Sequence, residues 1–179
     1  MCPPTQLHDE LLFAEVMLNR HEPILESRSL HWPDEAACAA FAQGLALKAE
    51  LHDAFIELYG PLGAGKTTFV RHLLRALGVS GRIKSPTYAV LEPYELPGVA
   101  ISHLDFYRFE DPREWVDAGF REIFAAPGLK LAEWPQNAGE QLPTPDLRLH
   151  LSVHLEPGAD DARAVLAEAC TARGVALLA

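Results

Sequence analysis

The order of apolar and polar positions along the chain predicts an alternation of strands and helices. Short runs that are apolar, or that alternate between apolar and polar residues, are typical of strands, whereas apolar residues recurring every three or four positions indicate helices. The predicted strands are Ser29–Trp32, Ala54–Tyr59, 87–96, 99–105, 129–133 and 147–156, and the predicted helices are 33–46, 66–77 and 111–124. This order predicts one α/β domain over residues 27–179.

Several segments add detail to this scheme. Pro97 and Gly98 form a turn signal between two strands and predict a hairpin. The strand at 147–156 alternates strictly, with leucines on one face, so we expect it to be half exposed. The C-terminal stretches "ARAVLAEA" and "GVALL" fit either a closing hairpin or an alanine-rich helix. Residues 1–26, with one short apolar periodic piece, are expected to be an extension of unknown role.

A glycine-rich loop connects the strand that ends at Tyr59 to the helix that begins at Lys66. Its sequence satisfies the pattern G-x-x-x-x-G-K-[ST], in which glycines let backbone N–H groups surround phosphates, the lysine reaches the terminal phosphates and the hydroxyl binds magnesium. The pattern therefore predicts a nucleotide site. The residues expected to contact the nucleotide here are Gly60, Gly63, Ala64, Gly65, Lys66, Thr67 and Thr68.

Two acidic residues at strand ends are candidates for completing the magnesium site. Asp105 ends the strand "VAISHLD" and Glu133 ends "LKLAE". Proteins with this loop usually supply such an acid from a neighbouring strand, and the sequence leaves open which acid contacts the metal and which orients water. Ser85 and Thr87, in the loop "GRIKSPTY", either sense the terminal phosphate or belong to a plain connector.

Composition and charge exclude several classes of protein. Fifteen basic and twenty-five acidic residues give a net charge of −10, which argues against a protein that binds a nucleic-acid backbone by itself. Three widely spaced cysteines indicate neither a disulfide framework nor a zinc cage, and His150 and His154 lie on the outer face of a predicted strand, so we expect no zinc. With no apolar run of membrane-spanning length and no signal-peptide pattern, we expect a cytoplasmic protein without a membrane association.

The motifs, taken together, resemble one known family. The segments "GPLGAGKTTFVRHLLRALG", "KSPTY", "HLDFYR", "DPREWVDAGF" and "LAEWPQNAG" follow in the order and spacing found in the tRNA threonylcarbamoyladenosine biosynthesis ATPases, the TsaE family, formerly YjeE. The resemblance extends from about Ser29 to Leu155. Linked motifs of this kind are far more specific than the glycine loop alone.

The resemblance implies a fold and an activity. The fold is a three-layer P-loop NTPase sandwich whose sheet is mostly parallel with added antiparallel strands. The activity is that of a bacterial Mg²⁺-dependent ATPase, slow without partners, with ATP and Mg²⁺ as cofactors. Such proteins assist the TsaB–TsaD complex, which places a threonylcarbamoyl group on an adenosine of tRNA, and their hydrolysis resets the complex. Contact with tRNA is then indirect.

The resemblance also implies roles for individual residues. Lys66 contacts phosphate, Thr67 and Glu133 bind magnesium, and Asp105 is required for hydrolysis. The residues Ser85–Thr87 form a switch-like loop, and Trp134 joins the wall of the nucleotide site. One departure is Pro61, where the family usually has aspartate, and proline removes one N–H that could contact phosphate.

Two rival functions fit the same motifs. A small-molecule kinase needs the same loop, magnesium and a strand-end acid as base, and in addition an acceptor pocket and an arginine-bearing lid. A binding module controlled by nucleotide would hydrolyse ATP only incidentally. Phosphate released free, rather than transferred to an added nucleoside, would distinguish an ATPase from a kinase.

Overall fold

The computed structural model describes residues 23–109, 119–153 and 161–179, and within them a mixed seven-stranded sheet carries four α-helices. The strands are β1 (Glu26–Trp32), β2 (Phe55–Tyr59), β3 (Leu91–Leu96), β4 (Val99–Asp105), β5 (Leu129–Glu133), β6 (Leu147–Val153) and β7 (Arg163–Ala169). The helices are α1 (Glu35–Ala46), α2 (Lys66–Ala76), α3 (Phe120–Ala125) and α4 (Ala172–Leu178), and short 3₁₀ helices cover Ala49–Asp53 and Pro135–Gln141.

The sheet has a parallel centre and antiparallel edges. Its order is β1-β7-β6-β2-β5-β4-β3, in which β6, β2, β5 and β4 are parallel and the remaining neighbours pair antiparallel. The hairpin predicted around Pro97 and Gly98 is confirmed as β3 and β4. The predicted α/β class, with antiparallel strands added to a parallel sheet, is therefore confirmed.

Helices cover the sheet on both faces because successive strand residues point to opposite sides. Ile56 and Leu58 of β2 pack in one apolar cluster with Phe69 of α2 and with residues of α1. Phe55, on the opposite face of β2, packs with Phe120 of α3 in a second cluster. The result is a three-layer arrangement that leaves the carboxyl ends of the parallel strands open at one edge, where open α/β sheets bind ligands.

The strand predicted from Thr87 is shorter than its sequence pattern indicated. β3 begins only at Leu91, and Val90 has a φ of 65°, which ends the extended backbone before it. The N–H of Val90 donates to the carbonyl oxygen of Pro86 at 2.6 Å, so the preceding residues form a turn. The turn places the hydroxyl of Thr87 2.9 Å from Asp105, at the end of β4.

The polar face of β6 is less exposed than expected, so the expectation of a half-exposed strand is only partly right: Arg148 is buried, His150 is half-buried and Ser152 is exposed. Its second face is polar but packed: the Nε of Arg148 donates to Glu57 at 3.2 Å, and the Nε2 of His150 lies 2.9 Å from Glu168. The Nε2 of His150 is therefore occupied by the Glu168 carboxylate, and its ring stacks on Tyr59 with ring centroids 4.8 Å apart.

The C-terminal segment combines the two alternatives left open by the sequence. "ARAVLAEA" contains β7, which forms an antiparallel pair with β6, and "GVALL" lies in α4. Thr171 caps this helix by accepting the N–H of Gly174 at 3.1 Å.

Some sequence predictions lie outside the described residues. These are the structure of residues 1–22 of the predicted extension, the start of the helix predicted at Asp111 and the position of His154. Across the described ranges, no helix has the length and apolar character needed to cross a membrane.

Gly174→Ala is expected to lower the free energy of unfolding by about 3 kcal/mol or more. A Cβ at Gly174 would lie 1.9 Å from the carbonyl oxygen of Asp146. The backbone of Asp146 is fixed on both sides, because its carbonyl oxygen accepts the N–H of Cys170 and its own N–H donates to the carbonyl oxygen of Phe55. Gly44→Ala is the matched control, since a Cβ at Gly44, in the last turn of α1, meets nothing within 4 Å. Urea unfolding should show Gly44→Ala unchanged or more stable; equal losses in both variants would contradict the steric argument.

Candidate nucleotide-binding site

A cavity of about 300 Å³ opens at the carboxyl edge of the parallel strands. It is lined by the glycine loop, the start of α2, the switch-like loop and the ends of β4 and β5. The lining residues are Leu62, Gly63, Ala64, Gly65, Lys66, Thr67, Thr68, Ser85, Thr87, Asp105, Tyr107, Glu133 and Trp134. The structure thus brings together residues that the sequence spreads from position 62 to position 134.

The glycine loop requires glycine at its first position. Gly60 has a φ of 140°, and a Cβ there would lie 2.4 Å from the carbonyl oxygen of Leu151 in β6. At the other end of the loop, Gly65 precedes α2 and caps it without a side chain. The N–H groups of the first helical turn are therefore open to an anion, which the helix dipole also favours.

Lys66 lies inside the site and is only 4% exposed. Its Nζ donates to the carbonyl oxygens of Gly60 at 2.5 Å and Pro61 at 3.0 Å, and lies 3.9 Å from the ring centroid of Trp134. Burial lowers the pKa of Lys66 to about 8, although the nearby carboxylates of Glu133 and Asp105 act in the opposite direction. The buried ammonium is thus poorly solvated and is suited to receiving an anion.

Glu133 connects the start of α2 to the end of β4. The hydroxyl of Thr67 lies 2.9–3.0 Å from both carboxylate oxygens of Glu133. The Nε2 of His103 lies 2.9 Å from Glu133 Oε1, and His103 is fully buried. Because a carboxylate oxygen accepts hydrogen bonds, the Nε2–H of His103 is the donor to Glu133. This second contact fixes the orientation of the carboxylate.

Asp105 holds the switch-like loop. Its Oδ2 accepts hydrogen bonds from the hydroxyls of Ser85 and Thr87, the latter at 2.9 Å, and its Oδ1 accepts the N–H of Tyr107 at 2.8 Å. Asp105 and Glu133 are partners across the β4–β5 register. The two acids therefore occupy different positions: Glu133 faces α2, and Asp105 faces the loop.

Pro61 fits the glycine loop without disrupting it. The carbonyl oxygen of Pro61 accepts the N–H of Ala64 at 3.1 Å as well as the ammonium of Lys66. Proline at this position removes the backbone N–H but keeps the carbonyl oxygen in use.

Besides Leu62, which lines the cavity, three residues with defined contacts in this region were not predicted from the sequence. His103 and Tyr107 belong to the quoted motif "HLDFYR", and the Tyr107 ring lies 5.0 Å from that of Trp134. Arg163, at the start of β7, donates to the carbonyl of Ala64 at 2.9 Å. A histidine two positions before a strand-end acid shares its face of the strand, and this spacing was the signal that identifies His103.

The residues present fit a magnesium ion. Mg²⁺ prefers oxygen ligands, and adjacent ligands at its bond length of about 2.1 Å lie about 3 Å apart. The hydroxyl of Thr67 and the carboxylate of Glu133 have this separation. These two side chains can therefore hold adjacent positions around the ion.

Comparison with known proteins agrees with this geometry. A family model described as "Threonylcarbamoyl adenosine biosynthesis protein TsaE" matches residues 32–164. The tRNA threonylcarbamoyladenosine biosynthesis protein TsaE of Haemophilus influenzae is 36% identical over 143 residues, 78% of this chain and 87% of the relative. The protein of the same name from Bacillus subtilis is 36% identical over 110 residues, 62% of this chain and 66% of the relative.

A solved structure shows the same fold. The crystal structure of YdiB from Bacillus subtilis matches with a TM-score of 0.69 and 24% identity, and the match covers 86% of this chain and 92% of that one. The family match contains every residue that lines the cavity. The chain therefore belongs to the TsaE family.

Proposed function

We propose that this chain binds ATP with Mg²⁺ and hydrolyses it as a component of the system that makes threonylcarbamoyladenosine in tRNA. The observation that carries the proposal is a contact between the residue after the loop lysine and a strand-end acid. Thr67 and Glu133 are hydrogen-bonded to each other, and both line the cavity that Lys66 also lines. Family membership supports the biological process, because the matched relatives carry it in their names. We assign the activity to the single domain of residues 27–179.

The side chains divide the work of hydrolysis. The Lys66 ammonium exchanges its hydrogen bonds to the loop carbonyls for hydrogen bonds to oxygens of the β- and γ-phosphates. The backbone N–H groups of the first turn of α2 bind the same phosphates. Thr67 and Glu133 hold Mg²⁺, which would neutralise charge that develops on the phosphate oxygens. In this way, binding and charge stabilisation come from one wall of the cavity.

Asp105 is suited to coupling hydrolysis to the switch-like loop. Its carboxylate already accepts from Ser85 and Thr87, so movement of either hydroxyl towards the γ-phosphate would free an oxygen of Asp105 to orient the attacking water. Trp134, stacked above Lys66, excludes water from the lysine side of the site. The loop would then differ in position between the ATP and ADP states.

Family membership also supports a proposal for the partners. We place the chain in the cytoplasm with the TsaB–TsaD complex, whose turnover its hydrolysis would assist or reset. A net charge of −10 disfavours direct binding to the tRNA backbone. Contact with tRNA is therefore assigned to the partners.

The test is steady-state ATP hydrolysis with Mg²⁺, measured for the purified chain alone and then with TsaB, TsaD and tRNA. We expect slow hydrolysis alone and an increase of about tenfold or more with the partners, which corresponds to ~1.4 kcal/mol in the barrier. Released phosphate must be free. Phosphate transferred to an added metabolite would favour a kinase, and tight nucleotide-dependent binding without turnover would favour a binding module.

A further inference from the structure

Arg163 connects the far edge of the sheet to the glycine loop. Its Nε donates to the carbonyl oxygen of Ala64 at 2.9 Å, and its Nη2 lies 3.4 Å from the carbonyl oxygen of Gly63. Its Nη1 donates to the carbonyl of Ala162, the residue before it, at 2.8 Å. One guanidinium therefore binds two consecutive carbonyls of the loop while being held by its own strand.

The backbone behind Arg163 is fixed. As the first residue of β7, Arg163 is paired in register with Val153 of β6 on one side and with Trp32 of β1 on the other. The loop that it contacts is the opposite case, because Gly63 and Gly65 have positive φ and glycine has a wide choice of backbone conformations. Arg163, on a fixed backbone, thus restrains a glycine loop whose own residues allow many backbone conformations.

Planarity of the peptide transmits this restraint to a phosphate donor. In a trans peptide the C=O of Ala64 and the N–H of Gly65 point in opposite directions. Arg163 lines a second cavity of about 90 Å³ and not the 300 Å³ cavity, whereas Ala64 and Gly65 lie between the two and line both. Holding the Ala64 carbonyl on the side of the smaller cavity therefore turns the Gly65 N–H away from Arg163, towards the phosphate side.

We propose that Arg163 is a positioning residue for phosphate binding, which holds the Ala64 carbonyl so that the Gly65 N–H is oriented to bind the phosphate chain before it arrives. Arg163 itself touches no phosphate in this scheme. The inference rests on the proposed nucleotide site and adds to it a residue from the opposite edge of the sheet. Preorganisation of this kind lowers the cost of ordering the loop on binding.

The test compares the binding of Mg²⁺-ATP and of Mg²⁺-tripolyphosphate by calorimetry in the full chain and in Arg163→Met, Arg163→Lys and Arg28→Met. Tripolyphosphate has no base or sugar, so it reports the loop donors alone. Arg28 is exposed on β1 and pairs with Glu26, which makes Arg28→Met the control for the same chemical change outside the loop. Thermal unfolding of each variant is measured in parallel.

We expect Arg163→Met to weaken the binding of both ligands by the same factor, roughly tenfold or more, because the charge-assisted hydrogen bonds of the guanidinium to the two loop carbonyls no longer orient the loop. Arg163→Lys should lose less, since an ammonium can reach one carbonyl but lacks the planar fork. Arg28→Met should bind as the unmodified chain does. An unfolding temperature close to that of the unmodified chain, together with this pattern, supports the positioning role.

Several outcomes would overturn it. An affinity of Arg163→Met within about twofold of that of the unmodified chain would show that the loop does not need Arg163 to be positioned. Weaker binding of ATP with unchanged binding of tripolyphosphate would show that Arg163 contacts the nucleoside instead. If Arg163→Met does not fold, Arg163→Lys decides, because unchanged affinity in that folded variant refutes the role. If the unmodified chain binds neither tripolyphosphate nor ATP, the proposed function itself is refuted. That outcome is distinct from failure of the positioning role alone, in which the unmodified chain still binds both ligands.

Discussion

Glu133→Gln is expected to slow Mg²⁺-dependent ATP hydrolysis by about a hundredfold or more while weakening ATP binding by less than about tenfold. Glutamine keeps the shape of the side chain and can still contact Thr67 and His103, which hold Glu133 at 2.9–3.0 Å. It loses the negative oxygen that would hold Mg²⁺. Removal of a negative charge from the phosphate cavity should leave binding without Mg²⁺ unchanged or tighter.

The measurements are single-turnover hydrolysis and equilibrium ATP titration, each with and without Mg²⁺. Glu168→Gln is the matched control, because Glu168 is also largely buried, also lies 2.9 Å from a histidine ring and sits on β7 away from the cavity. It should hydrolyse ATP at the normal rate. Equal losses of hydrolysis and binding in Glu133→Gln would contradict the assignment of Glu133 to the metal.

Local patterns were sufficient to predict the centre of this fold. The apolar run that forms β2, the glycine loop and the helix that begins at Lys66 are contiguous in sequence, so spacing alone predicted them. That a strand-end acid would lie near Thr67 followed from one further rule, that parallel strands end at the same edge of a sheet. The choice of Glu133, 66 positions later, over Asp105 came from the family resemblance. This part of the site is therefore a consequence of topology.

The edges of the sheet were less predictable because their burial depends on distant partners. Alternation assigned Arg148 and His150 to one face of β6 but did not show that Glu57 and Glu168 would be there to pair with them. A buried strand face with paired charges has the same sequence pattern as a solvated face. For this reason the expectation of a half-exposed strand held only at the end of β6, where Ser152 is exposed.

The residues that support the site were hidden for a similar reason. His103 is a polar residue in an apolar strand, and its value to Glu133 depends on the neighbouring strand β5. Arg163 acts on a loop 99 positions earlier in the chain, through backbone carbonyls that have no sequence signature. Side chains that touch ligands follow motifs, whereas those that orient them are set by tertiary packing.

Lys66→Met is expected to abolish hydrolysis, with a loss of about a thousandfold, and at the same time to stabilise the free protein by about 1–2 kcal/mol at pH 7. Burial holds the pKa of Lys66 near 8, below its ordinary value of 10.5, so the folded state penalises the ammonium form. Methionine fills similar space without charge. The loss of the bonds to the Gly60 and Pro61 carbonyls offsets part of the gain.

The sign of the pH dependence tests this explanation directly. Between pH 8 and 10.5 the unfolded chain keeps the Lys66 proton that the folded chain releases, so this residue makes the free energy of unfolding rise with pH in that window. The stability advantage of Lys66→Met should therefore narrow from pH 8 to 10. In the unmodified chain, ATP affinity should fall above about pH 8, because the neutral amine attracts phosphate less.

Urea unfolding and ATP titration between pH 7 and 10, without and with Mg²⁺, measure both effects. Lys48→Met is the control, since Lys48 donates to the Ala176 carbonyl at 3.2 Å, far from the cavity lining, and undergoes the same chemical change. It should bind and hydrolyse ATP normally. A Lys66→Met protein that is less stable than the unmodified chain at pH 7, or whose difference in stability is constant with pH, would show that the loop carbonyls compensate fully for the buried charge. Lys66 would then stabilise the empty loop as much as it contacts phosphate. The free-energy cost of keeping the empty site ready to bind an anion would come from residues other than Lys66.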